Sequence, residues 1–182
     1  RKTAARLAAR QKVRRSRALR RVPLFETLCE DGIAALLDAT RFEKYAEGAV
    51  LCRQGAVADA FYILVVGSAV VSMAQPAPPG AEEKVVEIRV GSLAELDFFG
   101  EACLEGRSGG DGAGEPVRTA TVTAAEAVQV LALGRDAWAR LLAEGVLNAG
   151  VEASVRSTRA QRAVETAAMV EAHAGRHGQP AG

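Results

Sequence analysis

Arg118 is the side chain of this sequence that most clearly requires a partner. It lies in "VRTATVTA" (residues 117–124), whose alternation of apolar and polar residues predicts a β-strand. Successive side chains of a strand point to opposite faces, so Arg118 shares its face with the alternate apolar residues, and the threonines lie on the other. An unpaired guanidinium among apolar side chains is unfavourable. The pattern predicts an anionic ligand, an internal carboxylate, or an arginine that turns out to solvent at the strand end.

Histidine and cysteine are scarce, which argues against several kinds of chemistry. The two histidines, His173 and His177, lie near the carboxyl end, so we expect neither histidine-based catalysis nor a histidine-rich metal site in the core. The three cysteines are far apart and lack metal-binding spacing, which predicts reduced thiols and a cytoplasmic location. No apolar run approaches the roughly 20 residues of a membrane span, and no secretory signal or kinase motif is recognisable.

Charge is distributed unevenly along the 182 residues. Ten of the 23 lysines and arginines lie in residues 1–21, which contain no acid, so the remainder carries 13 basic and 22 acidic side chains. The basic segment is rich in Ala, Leu and Arg and predicts a helix that is polar nearly all round. We interpret it as a solvated connecting helix, with contact to nucleic acid, anionic lipid or an acidic partner as the alternative.

The pattern then changes from helical to alternating. Residues 24–40 predict an amphipathic helix that follows Pro23. From residue 40 to residue 134, short alternating runs separated by Gly, Pro and charge predict a sandwich or barrel, with residues 75–83 as a loop. The predicted strands are RFEKY, AVLCR, AFYILVV, SAVVSM, KVVEIRV, VRTATVTA and AVQVLAL.

Helical composition returns after the strands. A first helix is predicted in residues 135–144 and a second, Ala-rich helix in residues 148–174. The last residues are rich in glycine and are expected to be disordered. The predicted units are a basic helix, one domain, a carboxy-terminal helix and a tail in residues 1–21, 22–147, 148–174 and 175–182.

Three glycines and two short motifs occur in the order typical of one domain family. Six and then eleven residues separate Gly48, Gly55 and Gly67, and "FGE" at 99–101 precedes "VRTATV" at 117–122. The glycines resemble the strand–turn–strand opening of cyclic nucleotide-binding domains, and the two motifs resemble their phosphate-binding cassette. The resemblance is strongest to the domains of cGMP-dependent protein kinases and the related regulatory subunits of cAMP-dependent kinases.

The resemblance covers about residues 22–142 and implies both a fold and a moving part. The implied fold is mainly β, an eight-stranded jelly-roll-like β-barrel flanked by amino-terminal and carboxy-terminal α-helices. In this family the helices after the barrel move when the cassette contracts around phosphate, and Met169 and Val170 are the candidate residues to cap a base. The implied parts are a cassette, a hinge helix and a lid helix in residues 99–122, 135–144 and 148–174.

The resemblance also implies roles for individual residues. Arg118 would make charge-assisted hydrogen bonds to the phosphate of a cyclic nucleotide, and Glu101 would accept one from the ribose 2′-hydroxyl. The N–H groups of Ala102 and Cys103 would bind the phosphate at the start of a short helix, where Gly100 permits close approach. Without a ligand, Glu101 would be a carboxylate stabilised by the helix dipole.

Base preference and two departures from the family pattern bear on the ligand. The resemblance implies that a threonine after the arginine, here Thr119, favours cGMP over cAMP, since its hydroxyl can bond the guanine 2-amino group; a surface threonine is the alternative. Sixteen residues separate Glu101 from Arg118, and this Gly-rich segment is longer than the resemblance implies. Cys103 replaces a smaller alanine, so loss of binding is an alternative outcome.

The sequence therefore predicts a regulatory module rather than an enzyme. Its ligand would be cGMP or cAMP, with no other cofactor and no metal, and its partner a protein kinase catalytic domain in cis or in trans. We expect the chain to be part of a larger, cyclic nucleotide-dependent protein kinase. The alternative is a degenerate domain that contacts protein, nucleic acid or membrane without nucleotide. DNA is not expected, because the residues after Met169 are too few for a helix-turn-helix.

Overall fold

The computed structural model of this chain describes residues 2–77, 84–104 and 115–177. In these residues, α-helices flank a set of short strands at both ends. The helices are α1 (Lys2–Arg21), α2 (Glu30–Ala39), α3 (Arg135–Ala143) and α4 (Ala149–His177). The strands are β1 (Arg41–Tyr45), β2 (Val50–Cys52), β3 (Ala60–Val66), β4 (Ala69–Pro76), β5 (Val85–Leu93), β6 (Phe98–Phe99), β7 (Thr121–Ala124) and β8 (Val128–Gly134). Two 3-10 turns occur, at Pro23–Phe25 and at Glu101–Leu104, and we call the second the cassette turn.

The strands form two antiparallel sheets of four strands each. One sheet has the order β1-β8-β3-β6 and the other has the order β2-β7-β4-β5. The prediction of a mainly β, jelly-roll-like fold with flanking helices is therefore confirmed. Closure of the sheets into a barrel stays a prediction.

Strand β3 divides the apolar core into two layers, which explains its uninterrupted apolar sequence. Phe61 and Ile63 point to the layer that contains the helices. Tyr62 and Leu64, on the opposite face, point to the layer between the two sheets. A strand that is covered on both faces carries apolar residues at every position, whereas a strand with one solvated face alternates.

Helix α1 packs on the domain along one side. Leu19 is fully buried in the helical layer of the core. Ion pairs join Lys12 to Asp38 at 2.8 Å and Arg20 to Glu30 at 2.7 Å. The basic segment is therefore helical as predicted, but it contacts the domain instead of being solvated all round.

Several predicted boundaries were wrong, for local reasons. The helix expected in residues 24–40 begins only at Glu30. Two acidic residues in its first turn stabilise this start, because they interact favourably with the positive end of the helix dipole. The strand expected from Val117 is interrupted: Val117 forms an isolated antiparallel bridge with Val57, the chain bends at residues 119–120, and the regular strand begins only at Thr121. Strand β6 was missed, since two residues are too short to show a period.

The ends of the carboxy-terminal segments also differ from the predictions. Helix α4 continues to His177, so residues 175–177 are helical and do not belong to the expected tail. The rest of the tail, residues 178–182, and residues 78–83 of the proline-rich loop lie outside the described residues. Strand β5 keeps the predicted alternation, with Ile88 and Val90 buried.

Candidate functional site

Arg118 is buried at the edge of a cavity and already contacts two groups of the protein. Its side chain is 4% exposed; Nη2 donates to Asp59 Oδ1 at 3.1 Å and Nη1 donates to Gly100 O at 3.2 Å. Its guanidinium carbon lies 5.3 Å from the centre of the Tyr62 ring. The side chain of Asp59 is 70% exposed and stays hydrated, so it compensates the buried charge only in part. The internal carboxylate is therefore present, and Arg118 also lines the cavity.

Gly100 brings the backbone against this guanidinium. Its φ is +83°, a region that L-residues rarely adopt. A Cβ atom at this position would overlap Arg118 Nη1 and would lie 2.8 Å from Ala60 O. Glycine is therefore required here both for the backbone conformation and for the space that Arg118 occupies.

The cassette turn follows directly and presents its first residues to the cavity. Glu101 and Ala102 line the cavity, and their N–H groups have no acceptor within the turn. Cys103 N–H donates to Gly100 O at 3.1 Å. The Cys103 side chain is fully buried in the core, where burial raises the pKa of its thiol to about 12. Cys103 thus packs beneath the turn, so its side chain does not crowd the cavity.

The cavity has a volume of about 610 Å³, which lies in the range of small-molecule sites. Strands β2, β4, β5 and β7 form one wall, the cassette turn and Arg118 form one end, and α4 forms the opposite wall. The strand residues are mostly apolar, so the charge is concentrated at the cassette end and on α4. Of the residues predicted for the site, those that line the cavity are Gly100, Glu101, Ala102, Arg118 and Thr119.

Thr119 lines the same cavity as Arg118, although regular strand alternation would separate them. The regular strand begins only at Thr121, so the backbone at Arg118 and Thr119 does not alternate as in a strand. The side chain of Thr119 is exposed. An irregular strand end therefore brings the two neighbouring side chains to one space.

Arg162 joins helix α4 to the cassette turn and to the strand before it. Arg162 Nη1 donates to Phe98 O at 2.6 Å and to Glu101 Oε1 at 2.9 Å. Its guanidinium carbon lies 5.1 Å from the centre of the Phe98 ring. The side chains of Arg162 and Glu101 are 32% and 13% exposed. This contact joins the carboxyl group predicted for ribose to the helix predicted as a lid.

A second arginine joins the cassette turn to α3. Arg135 Nε donates to Cys103 O at 3.1 Å, and its Nη2 donates to Ala58 O at 2.6 Å. Arg135 is the first residue of α3. The position of the cassette turn is thus tied to the start of the predicted hinge helix as well as to α4.

The sequence-based interpretation missed three of these side chains, namely Asp59, Arg135 and Arg162. Asp59 is the last residue of the connection before β3, and no sequence pattern around it indicates that it meets Arg118. The α4 residues carry a weak signal, because Arg162, Thr166 and Val170 recur at intervals of four and line the cavity together. Of the two candidate cap residues, Val170 lines the cavity, whereas Met169 is 46% exposed and is not part of the lining.

Part of the predicted cassette segment lies outside the described residues. These are residues 105–114, which include most of the Gly-rich insertion.

In the described ranges, no group of His, Cys, Asp and Glu is arranged to hold a metal ion. None of the helices in the described part of the chain has the length and apolar character needed to cross a membrane.

Comparison with known proteins gives a consistent set of relatives. The family described as "Cyclic nucleotide-binding domain" matches residues 42–144. The cGMP-dependent protein kinase egl-4 of Caenorhabditis elegans is 36% identical over 127 residues, which are 69% of this chain and 14% of the kinase. The cAMP-dependent protein kinase regulatory subunit of Aspergillus fumigatus is 36% identical over 124 residues, 68% of this chain and 26% of that subunit. This chain therefore spans only a minor part of these relatives.

Solved structures have the same fold. The regulatory domain of Toxoplasma gondii PKA with cAMP has a TM-score of 0.66 and 26% identity over 85% of this chain and 52% of that chain. The catabolite activator protein of Thermus thermophilus has a TM-score of 0.63 and 23% identity over 82% of this chain and 63% of that chain. The second likeness concerns the fold alone.

Proposed function

Because this chain belongs to the cyclic nucleotide-binding domain family, we propose that it is a regulatory module that binds a cyclic nucleotide. The proposed ligand is cGMP in preference to cAMP, and the proposed site is the cavity between the cassette turn and α4. The observation that carries the proposal is Arg118, a 4% exposed cation at the cavity end whose carboxylate partner, Asp59, is 70% exposed. A phosphodiester at this end would complete the compensation of the buried charge with charge-assisted hydrogen bonds. The module is regulatory and not catalytic.

The cavity supports a division of roles for the rest of the nucleotide. Glu101 lines the cavity together with Arg118 and would accept a hydrogen bond from the ribose 2′-hydroxyl. Thr119 would donate to or accept from the base edge, and its hydroxyl can accept a hydrogen bond from the guanine 2-amino group, which adenine lacks. This contact is the basis of the proposed preference for cGMP. Val170 on α4 supplies apolar surface for the face of the base.

We further propose that nucleotide binding repositions α3 and α4 and so controls a protein kinase catalytic domain in the same or another chain. A ligand shifts such an equilibrium only through contacts that differ between the two states. Two contacts support this coupling: Arg162 with Glu101, and Arg135 with Cys103 O. A ribose that engages Glu101 changes the first contact, and a phosphate that draws in the cassette turn changes the second.

Calorimetric titration with cGMP and cAMP under identical conditions tests the binding step. We expect Arg118→Ala to lose about 2–5 kcal/mol of binding free energy, because a buried charged partner is removed. The matched control is Arg53→Ala, which removes an exposed cation that does not line the cavity. Equal affinities for Arg118→Ala and the control, in folded proteins, would remove the cassette assignment. Absence of binding by the unmodified chain would favour the degenerate interaction module.

Amide hydrogen exchange with and without saturating nucleotide tests the coupling. We expect protection to rise in residues 99–104 and 115–122 and to change in residues 135–174. Protection of the cassette with identical exchange in the helices would mean that the module binds without signalling through them.

A further inference from the structure

A second cationic site lies between α1 and the sheet with the order β1-β8-β3-β6. It is a notch of about 100 Å³ lined by residues of α1, β1, β3 and β8, and it shares no lining residue with the nucleotide cavity. Three of the lining side chains are cations, namely Arg14, Arg15 and Lys44. Two amides, Gln11 and Gln129, complete the polar part of its wall. No carboxylate lines it.

The charge in this notch is not compensated as it is elsewhere on α1. Lys12 and Arg20, on the same helix, form ion pairs with Asp38 and Glu30. Within the described ranges, by contrast, neither Arg14 nor Lys44 has an ion pair. The body of the chain is rich in acid, yet none of it is placed here. Like charges held close together repel, so an anion in the notch would relieve this repulsion.

The Phe42 ring holds two of these cations, Arg15 and Lys44, near each other before any ligand arrives. The guanidinium carbon of Arg15 lies 3.6 Å from the centre of the Phe42 ring, and Lys44 Nζ lies 5.7 Å from the same centre. Arg15 Nη2 also donates to Gln11 Oε1 at 3.3 Å. Burial lowers the pKa of Arg15, which is the direction expected for a cation that is partly removed from water without an anion.

We propose that this notch binds a phosphoryl group through Arg14, Arg15 and Lys44. Guanidinium groups match the geometry of phosphate oxygens, and the side-chain amides supply further donors. At about 100 Å³ the notch lies well below the roughly 300–1,000 Å³ typical of sites for drug-sized ligands, so it suits a single phosphoryl group better than a whole nucleotide. The exposed Arg10 and Arg17 on α1 add to the local positive potential.

The site spans two elements, which gives binding a structural consequence. Arg14 and Arg15 belong to α1 and Lys44 belongs to β1. A phosphoryl group between them clamps the amino-terminal helix to the sheet. The phosphoryl group can come from free phosphate in solution or from a phosphoinositide headgroup at a membrane.

An NMR titration with inorganic phosphate, at ionic strength held constant with NaCl, tests the site. It is performed in the Arg118→Ala background, so that phosphate at the nucleotide cavity does not contribute. We expect saturable shifts of the Gln11 and Gln129 side-chain amides. The double variant Arg14→Gln/Lys44→Gln should bind at least tenfold more weakly. The matched control, Arg53→Gln/Arg156→Gln, removes two exposed cations elsewhere and should bind as before.

Two outcomes overturn the proposal: absence of saturable shifts, or equal affinities in the two double variants. The charge-conserving variant Arg14→Lys/Lys44→Arg should retain binding, which separates loss of charge from a disturbed fold. Phosphatidylcholine vesicles with and without phosphatidylinositol bisphosphate distinguish the source. Sedimentation with the bisphosphate vesicles that is lost in Arg14→Gln/Lys44→Gln identifies a headgroup site, and phosphate binding without sedimentation identifies a soluble ligand. Sedimentation that is equal in both double variants reflects the general charge of α1 and counts against the notch.

Discussion

Replacement of Gly100 by alanine tests the geometry of the cassette most directly. The added methyl group would overlap Arg118 Nη1 and would lie 2.8 Å from Ala60 O. The alanine would also have to adopt φ +83°, as Gly100 does. Since Ala60 O belongs to a paired strand, the arginine is the group that must move.

The expected loss of stability has two parts. Left-handed backbone at a non-glycine residue costs about 1–2 kcal/mol. Displacement of Arg118 loses a hydrogen bond to a charged group, which contributes about 1.5–3 kcal/mol. Together these predict a fall in Tm of roughly 5–20 °C for a domain of this size, by calorimetry. Nucleotide affinity should fall by about 30-fold or more, measured by titration, because the displaced guanidinium no longer faces the phosphate.

Gly48→Ala is the matched control for this experiment. Gly48 has φ +77°, and a Cβ atom there would have no neighbour within 4 Å. The control should therefore lose only the backbone contribution of about 1–2 kcal/mol and should keep its affinity for nucleotide. If Gly100→Ala matched Gly48→Ala in both stability and affinity, the proposed contact between Arg118 and the cassette backbone would be refuted.

Three further predictions concern the base, the lid and the buried thiol. Thr119→Ala should weaken cGMP binding by about 1 kcal/mol, or fivefold, and leave cAMP binding nearly unchanged in paired titrations; equal losses would show that Thr119 does not read the base. Arg162→Gln should speed amide exchange in α4 by up to about fivefold, because one partly exposed ion pair is lost; unchanged exchange would mean that this pair does not hold the helix. Burial raises the pKa of Cys103 from 9.0 to about 12, so the native state keeps a proton that the unfolded chain releases, and the free energy of unfolding should fall as pH rises through that interval. Cys103→Ala should flatten this part of the pH profile of denaturant unfolding, and an unchanged slope would contradict the assignment.

The sequence predicted the bounds of a strand where the residues of that strand carried a clear hydrophobic pattern. Strands β1 and β3 have the predicted bounds, because alternation or an unbroken apolar run ended at turn residues in each case. The boundaries failed where a neighbour in space determined the backbone. Arg118 and Thr119 read as strand residues, yet hydrogen bonds to the β2–β3 connection hold Arg118 outside the regular strand.

By itself the sequence determined the mainly β class, the cassette motifs and the need for a partner at Arg118. The class and the need for a partner follow from side-chain period and from the unfavourable burial of an isolated charge, both of which are local properties, whereas the motifs were identified by their resemblance to a known family. Only the tertiary structure decided which groups meet. Asp59 reaches Arg118 across 59 positions, and Arg162 reaches Glu101 across 61. Such pairs depend on how the sheets and α4 pack together. Patterns of neighbouring residues in the sequence do not predict that packing.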